Sequence, residues 1–165
     1  MREGSPALPV LLLEHVIIFE RVVEGVSRRS LERFARKTQE LTGVAGQVDV
    51  LIAGNRRLQQ LNRHFRNKNR ATDVLSFPRA EGGDIAVSAD MALANARRYR
   101  HPAAQEIKVL ILHGMLHLAG YDHENDDGQM ARKENKLRAK LKLPASLIDR
   151  TQTPENVLDG ARRRS

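Results

Sequence analysis

His113, His117 and His123 fall within the eleven residues of "HGMLHLAGYDH", so half of the chain's six histidines crowd into one stretch. The first two are four apart, which on an α-helix puts both rings on one face, a turn apart. A helix offers two imidazoles to one zinc ion at ~2.0–2.1 Å in this way. Gly120 lets the chain leave the helix, and His123 can then return as a third ligand. Three protein ligands leave one position of a tetrahedral ion open, the pattern of a catalytic site. An ion held there polarises a phosphoryl or carbonyl oxygen. Three imidazoles suit zinc, and copper, nickel and iron accept them as well. Imidazoles without a metal would need hydrogen-bond partners that the surrounding Val, Leu, Ile and Met cannot supply. Asp122, Glu124 and Asp126 follow closely enough to orient ligands or move protons.

The same spacing, H-x-x-x-H-x-x-G-x-x-H, belongs to the metzincin peptidases, which carry a catalytic Glu after the first His. Here that position is Gly114. A peptidase attacks a neutral amide and protonates a poor leaving group, so the proton-shuttling Glu is central to it. Phosphodiester cleavage starts from an anion and adds charge, so cationic stabilisation is the larger need. A carboxylate beside the metal would repel an incoming phosphate.

The elements that must position these residues read as follows. "HVIIFERVV" (15–23) is a β-branched strand, and a helix capped by Ser30 runs from it to a stop at Gly43. "QVDVLIAG" alternates as a second strand, and "NRRLQQLNRHFR" is a short helix with Leu58, Leu61 and Phe65 on one face. "ATDVLSFP" and "DIAVS" are a third and a fourth strand paired as a hairpin across a short turn. "SADMALANARRYR" is helical, and Pro102 opens a further helix, apolar almost all round, that holds the histidine pair. A last amphipathic helix starts with Asp126 and Gln129 spaced as a capping box. The order implies an α+β fold: one domain, a small four-stranded mixed sheet packed with about five helices, and the metal site at the end of a central buried helix. Residues 1–14 are expected to be loosely ordered, 15–150 to form the catalytic domain, and 151–165 to be a disordered basic tail.

The 165 residues are 41% apolar and 29% charged, a soluble globular balance, with no cysteine and hence no disulfide or thiolate site. A net charge of +8 points to a polyanionic partner, of which nucleic acid is the commonest in a cytoplasm. No stretch reaches the ~20 apolar residues of a membrane span, so a cytoplasmic protein with no membrane partner is expected.

Two blocks together are more specific than the histidines alone. "HGMLHLAGYDH" and "LNRHFRNKNRATDVLSFP" resemble the paired signatures of the YbeY family, bacterial metal-dependent endoribonucleases of ribosomal RNA maturation. "GDIAVS" and the Met130…Glu134 spacing are similar to that family too, over roughly residues 45 to 143. The turn "RAEGG" is shorter than in some members. The resemblance implies Zn2+ on His113, His117 and His123, and Arg66 as a second functional residue in an RNA-binding cleft. A guanidinium suits that task because it is planar, permanently charged and donates two parallel hydrogen bonds to phosphate.

The implied activity is single-strand-specific cleavage in rRNA maturation, at the 3′ end of 16S rRNA, and in ribosome quality control. Its partners would be precursor rRNA and the small subunit or its assembly proteins, with the chain itself a monomer. Arg63, Lys68, Arg70, Arg97 and Arg98 are candidates for a strip tracking the RNA backbone. Either water or the substrate's 2′-hydroxyl fits as nucleophile. Two other readings compete: a non-catalytic ribosome-assembly factor that keeps the metal, and a metzincin-like peptidase, against which Gly114 counts.

Overall fold

A computed structural model of the protein describes residues 15–144, so the expectations for 1–14 and 151–165 lie outside the described residues. Four strands make one mixed sheet: β1 (Ile17–Phe19), β2 (Val48–Ala53), β3 (Val74–Pro78) and β4 (Gly83–Ser88), in the order β1-β2-β4-β3. β1 and β4 run parallel to β2, and β3 closes one edge antiparallel to β4. Five helices surround it: α1 (Arg28–Thr42), α2 (Asn55–Arg66), α3 (Ala89–Tyr99), α4 (Ala103–Leu118) and α5 (Gln129–Lys140). The expected α+β architecture is what forms.

The strands alternate, and each face finds its own cover. Val48, Val50, Ile52, Ile85 and Val87 bury against Leu31 of α1, Ala92 of α3, and Ile107, Leu110, Ile111 and Met115 of α4. Leu75, Ala86 and Ala53 turn the other way and are covered by Leu58 of α2, with Leu61 and Phe77 beside them. The far side of α4, through Val109, Leu112 and Leu116, packs on Met130 and Leu137 of α5. α4 is apolar all round because it lies between the sheet and α5, and this sandwiching fixes where its last turn projects.

Local structure departs from the expectations at four places. β1 stops at Phe19 because Glu20 and Arg21 both donate to Ile52 O, which ends the ladder and leaves Val22 exposed. α1 begins earlier than expected: Ser27 is its N-cap, and Ser27 Oγ accepts from Ser30 N at 3.1 Å. Pro102 is the N-cap of α4, with extended backbone, so the helix proper starts at Ala103. The capping box of α5 does not form, since Gln129 is the helix's first residue. Asp126 still caps it by accepting from Gly128 N and Met130 N, both at 2.8 Å.

Among the described residues no helix is long and apolar enough to cross a membrane.

Candidate active site

The last two turns of α4 and the loop after it bring His113, His117 and His123 together, with one donor atom from each lying within 4.8 Å of the others. Gly120, at φ 96°, makes the reversal that returns His123 toward the helix, a backbone conformation that side-chain-bearing residues rarely adopt. The ring of His123 stands 5.2 Å from that of His113 and 5.3 Å from that of His117, centroid to centroid.

Hydrogen bonds fix the tautomers. His117 Nδ1 lies 3.0 Å from Tyr121 O, and a carbonyl can only accept, so Nδ1 carries the proton. His113 Nδ1 donates to the carboxylate of Glu134 at 3.1 Å, deep between α4 and α5, where Glu134 is wholly buried. Both Nε2 atoms are therefore bare lone pairs, and they face each other at 3.2 Å. Two lone pairs so placed repel unless a cation lies between them. Nitrogens sharing a tetrahedral ion at ~2.0–2.1 Å stand roughly 3.3 Å apart, so the pair already has ligand geometry. His123 Nδ1 is buried with no hydrogen-bond partner, which a metal or its hydration shell would supply. Burial first, and then the neighbouring His113 and His123, lower the His117 pKa to about 4, so its ring stays neutral and ligating. The residues present fit the metal that the sequence implies.

The histidines form one wall of a cavity of about 440 Å³. Arg66, Lys68 and Arg70 line the same cavity, brought there by α2 and the loop after it. Asn62, buried in α2, holds that loop by donating from Nδ2 to Arg70 O at 2.9 Å. Ser76 then ties the two sets together. Its carbonyl accepts from an Arg66 guanidinium nitrogen at 3.1 Å, and its hydroxyl donates to Gly114 O at 3.0 Å. Arg66 is thus registered, through a single residue of β3, to the helical turn that carries His113.

Carboxylates are not absent from this cavity, contrary to a simple charge argument: Asp73, Asp122 and Glu124 line it. Their environments differ. Burial pushes Asp73 above the usual carboxylate range, against the opposing pull of the nearby His113. Asp122 is held below that range by its hydrogen bonds from Asn125 and Glu124 N, and it serves to shape the turn around His123.

Gly114 has a second explanation, in packing. A Cβ at this position would meet Ile85 Cγ2 at 2.8 Å and Ser76 Oγ at 3.0 Å, because α4 presses here onto β3 and β4. The glutamate of a peptidase has no room.

Of the other basic candidates, Arg63 is exposed on α2 and does not line the cavity. Arg97 lines a separate hollow beside Arg100 and His101 at the α3–α4 junction. Arg98 is exposed one residue further on, with its guanidinium 5.5 Å from the Tyr99 ring centroid. The sequence reading missed Ser76, Asn62 and the contact of Glu134. Each was visible only as a polar residue at an otherwise apolar position of its element.

The family model for Endoribonuclease YbeY matches residues 15–142. The chain belongs to that family. YbeY relatives include the Endoribonuclease YbeY of Koribacter versatilis (strain Ellin345), 50% identical over 142 residues, covering 84% of this chain and 93% of that protein. That of Solibacter usitatus (strain Ellin6076) is 48% identical over 139 residues, covering 83% and 95%. The solution structure of TM1509 from Thermotoga maritima is similar in fold, with a TM-score of 0.52 and 30% identity over 77% of this chain and 92% of that one. The YbeY resemblance carried by the two sequence blocks is borne out, and it extends over all five helices.

Proposed function

We propose that this chain is a metal-dependent endoribonuclease that cuts single-stranded RNA, acting in maturation of the 3′ end of 16S rRNA and in ribosome quality control in the cytoplasm. The class of reaction comes with membership of the YbeY family. The single observation that carries the mechanism is the convergence of three imidazoles and Arg66 on one cavity, joined through Ser76. His113, His117 and His123 would hold the ion, zinc being the one their chemistry suits best. When bound, a divalent ion there supplies Lewis-acid polarisation of a phosphoryl oxygen.

The chain's own residues do the rest. Arg66 spends one N–H on Ser76 O, which sets the plane of the guanidinium and leaves its other donors for the non-bridging oxygens of a phosphate. Charge that develops on those oxygens strengthens this contact as the phosphorus becomes five-coordinate, which is the differential binding that accelerates a reaction. Lys68 and Arg70 add positive potential along the cavity and steer the strand into it. Glu134 keeps His113 in the tautomer whose Nε2 faces the cavity.

The test uses full-length protein on an end-labelled single-stranded RNA and on a 16S rRNA precursor, with and without chelator, beside Arg66→Ala and His117→Ala. Cleavage should be lost with chelator and fall at least a hundredfold in both variants, on the order of the effect of removing one oxyanion donor. Undiminished cleavage in all of them would bring down the reading and leave a non-catalytic RNA-binding factor.

A further inference from the structure

The residue next to Arg66 is one of the few large hydrophobic side chains exposed among the described residues. Phe65 is 62% exposed at the last turn of α2, in a chain with only four phenylalanines, two tyrosines and no tryptophan. Aromatic rings that scarce are normally spent on the core. This ring is nevertheless held firmly. Its centroid lies 5.1 Å from that of Phe77, and the His64 ring meets it edge-on at 4.6 Å and 85°. The placement is over-determined: Arg66 is bonded to Ser76 and Phe65 leans on Phe77, so two consecutive residues of α2 are pinned to two consecutive residues of β3. β3 is the end strand of the sheet, so among the described residues no further strand covers this margin.

The chemistry around the ring selects its occupant. Residues 63–70, "RHFRNKNR", carry Arg63, Arg66, Lys68 and Arg70 with no acidic side chain. An apolar π-face set among cations is poor ground for a basic or merely greasy partner. It suits a polymer that alternates anionic groups with flat rings. Unpaired bases stack on aromatic faces while basic side chains follow their phosphates. Resting on the reading of the cavity as an RNA-cleaving site, we propose that Phe65, backed by Phe77 and His64, is a stacking subsite. It holds one unpaired nucleobase beside the phosphate that Arg66 contacts. A base stacked between its neighbours inside a duplex offers no free face to such a ring, so the subsite also gives a physical basis for preferring single strands.

The experiment measures the affinity of full-length protein, as purified, for a dye-labelled single-stranded RNA in the cold, and cleavage of the same RNA after warming. A set of RNAs with one abasic sugar walked along the strand keeps every phosphate and removes one base at a time. Stacking is worth ~1–3 kcal/mol per base, about fivefold to 150-fold in affinity. One abasic position should weaken wild-type binding by that factor. Phe65→Leu, which keeps an apolar contact with Phe77, should weaken binding to intact RNA by a similar factor and be indifferent to that abasic position. Phe65→Trp should restore sensitivity to it. Equal losses on intact and abasic RNA would reduce Phe65 to a packing residue, and unchanged affinity in Phe65→Leu would remove the subsite; both overturn the proposal. Cleavage that proceeds normally in those cases leaves the enzymatic reading intact. A wild-type protein that neither binds nor cuts the RNA brings down both.

Discussion

Replacing Glu134 with alanine tests how the metal site is held. The carboxylate is wholly buried and accepts from His113 Nδ1 at 3.1 Å. Truncation leaves a ring N–H with no acceptor and frees His113 to take the other tautomer, whose Nε2 carries a proton instead of a lone pair. A hydrogen bond to an ionised group contributes about 1.5–3 kcal/mol. Removal of such a partner behind a metal-bound histidine typically costs 10–100-fold in metal affinity, or ~1.4–2.7 kcal/mol. The two ranges overlap near 2 kcal/mol, so zinc affinity should fall about thirtyfold. Glu134→Gln keeps an acceptor oxygen but not the charge; since neutral hydrogen bonds are about half as strong, its loss should be about fivefold. The assay is titration of full-length protein with zinc against a chromogenic chelator, with His117→Ala as the reference for a lost ligand. Urea unfolding of chelator-treated protein separates binding from stability. Zinc affinity within twofold of wild type in Glu134→Ala, whatever happens to stability, would refute the reasoning.

Two further outcomes follow from other parts of the molecule. Gly114→Ala should gain ~0.8–1.0 kcal/mol in helix propensity but suffer ~1–3 kcal/mol of overpacking, because the new Cβ meets the branched Cγ2 of fully buried Ile85 at 2.8 Å. A net loss of ~1 kcal/mol in urea unfolding is expected, and a gain would show that α4 lifts freely from the sheet. In chelator-treated protein, stability should fall as the pH is lowered from 6.5 toward 4. Burial depresses both His15 and His117, His117 to about 4, so in that window the unfolded chain binds protons that the native state does not. His117→Gln should flatten the urea-midpoint profile there, and an unchanged slope would contradict the assignment.

Much of this architecture was legible locally. α2 spans the expected residues because Leu58, Leu61 and Phe65 recur at helical spacing, and the hairpin of β3 and β4 follows from two short β-rich runs around a glycine turn. The histidines announced themselves by spacing, since helix geometry is enough to place two of them. What stayed hidden depends on contacts far apart in sequence. The partner of His113 is 21 residues away, and the hydroxyl that fixes Gly114 O is 38 away. No local periodicity reports such pairs. The capping errors have a different origin: Ser27 and Ser30 both satisfy the composition of an N-cap, and only the backbone decides between them. The same holds for the arginines. Arg66 and Arg98 are alike as letters, and only the fold turns one toward the histidines and the other to the far end of α3.

The close seat of α4 on the sheet at Gly114 bears on how this scaffold can change its trade. The substitution that would restore a metzincin's general base is one residue, but it cannot be tried alone. A glutamate there demands that the Ile85 side chain and the Ser76 hydroxyl give way first, and that hydroxyl is what bonds β3 to Gly114 O. A lineage or a designer moving toward peptide hydrolysis would have to reopen the seat of α4 on the sheet before the new base could enter. The two chemistries share a ligand spacing, yet one replacement at Gly114 does not join them, and the barrier is made of van der Waals contact.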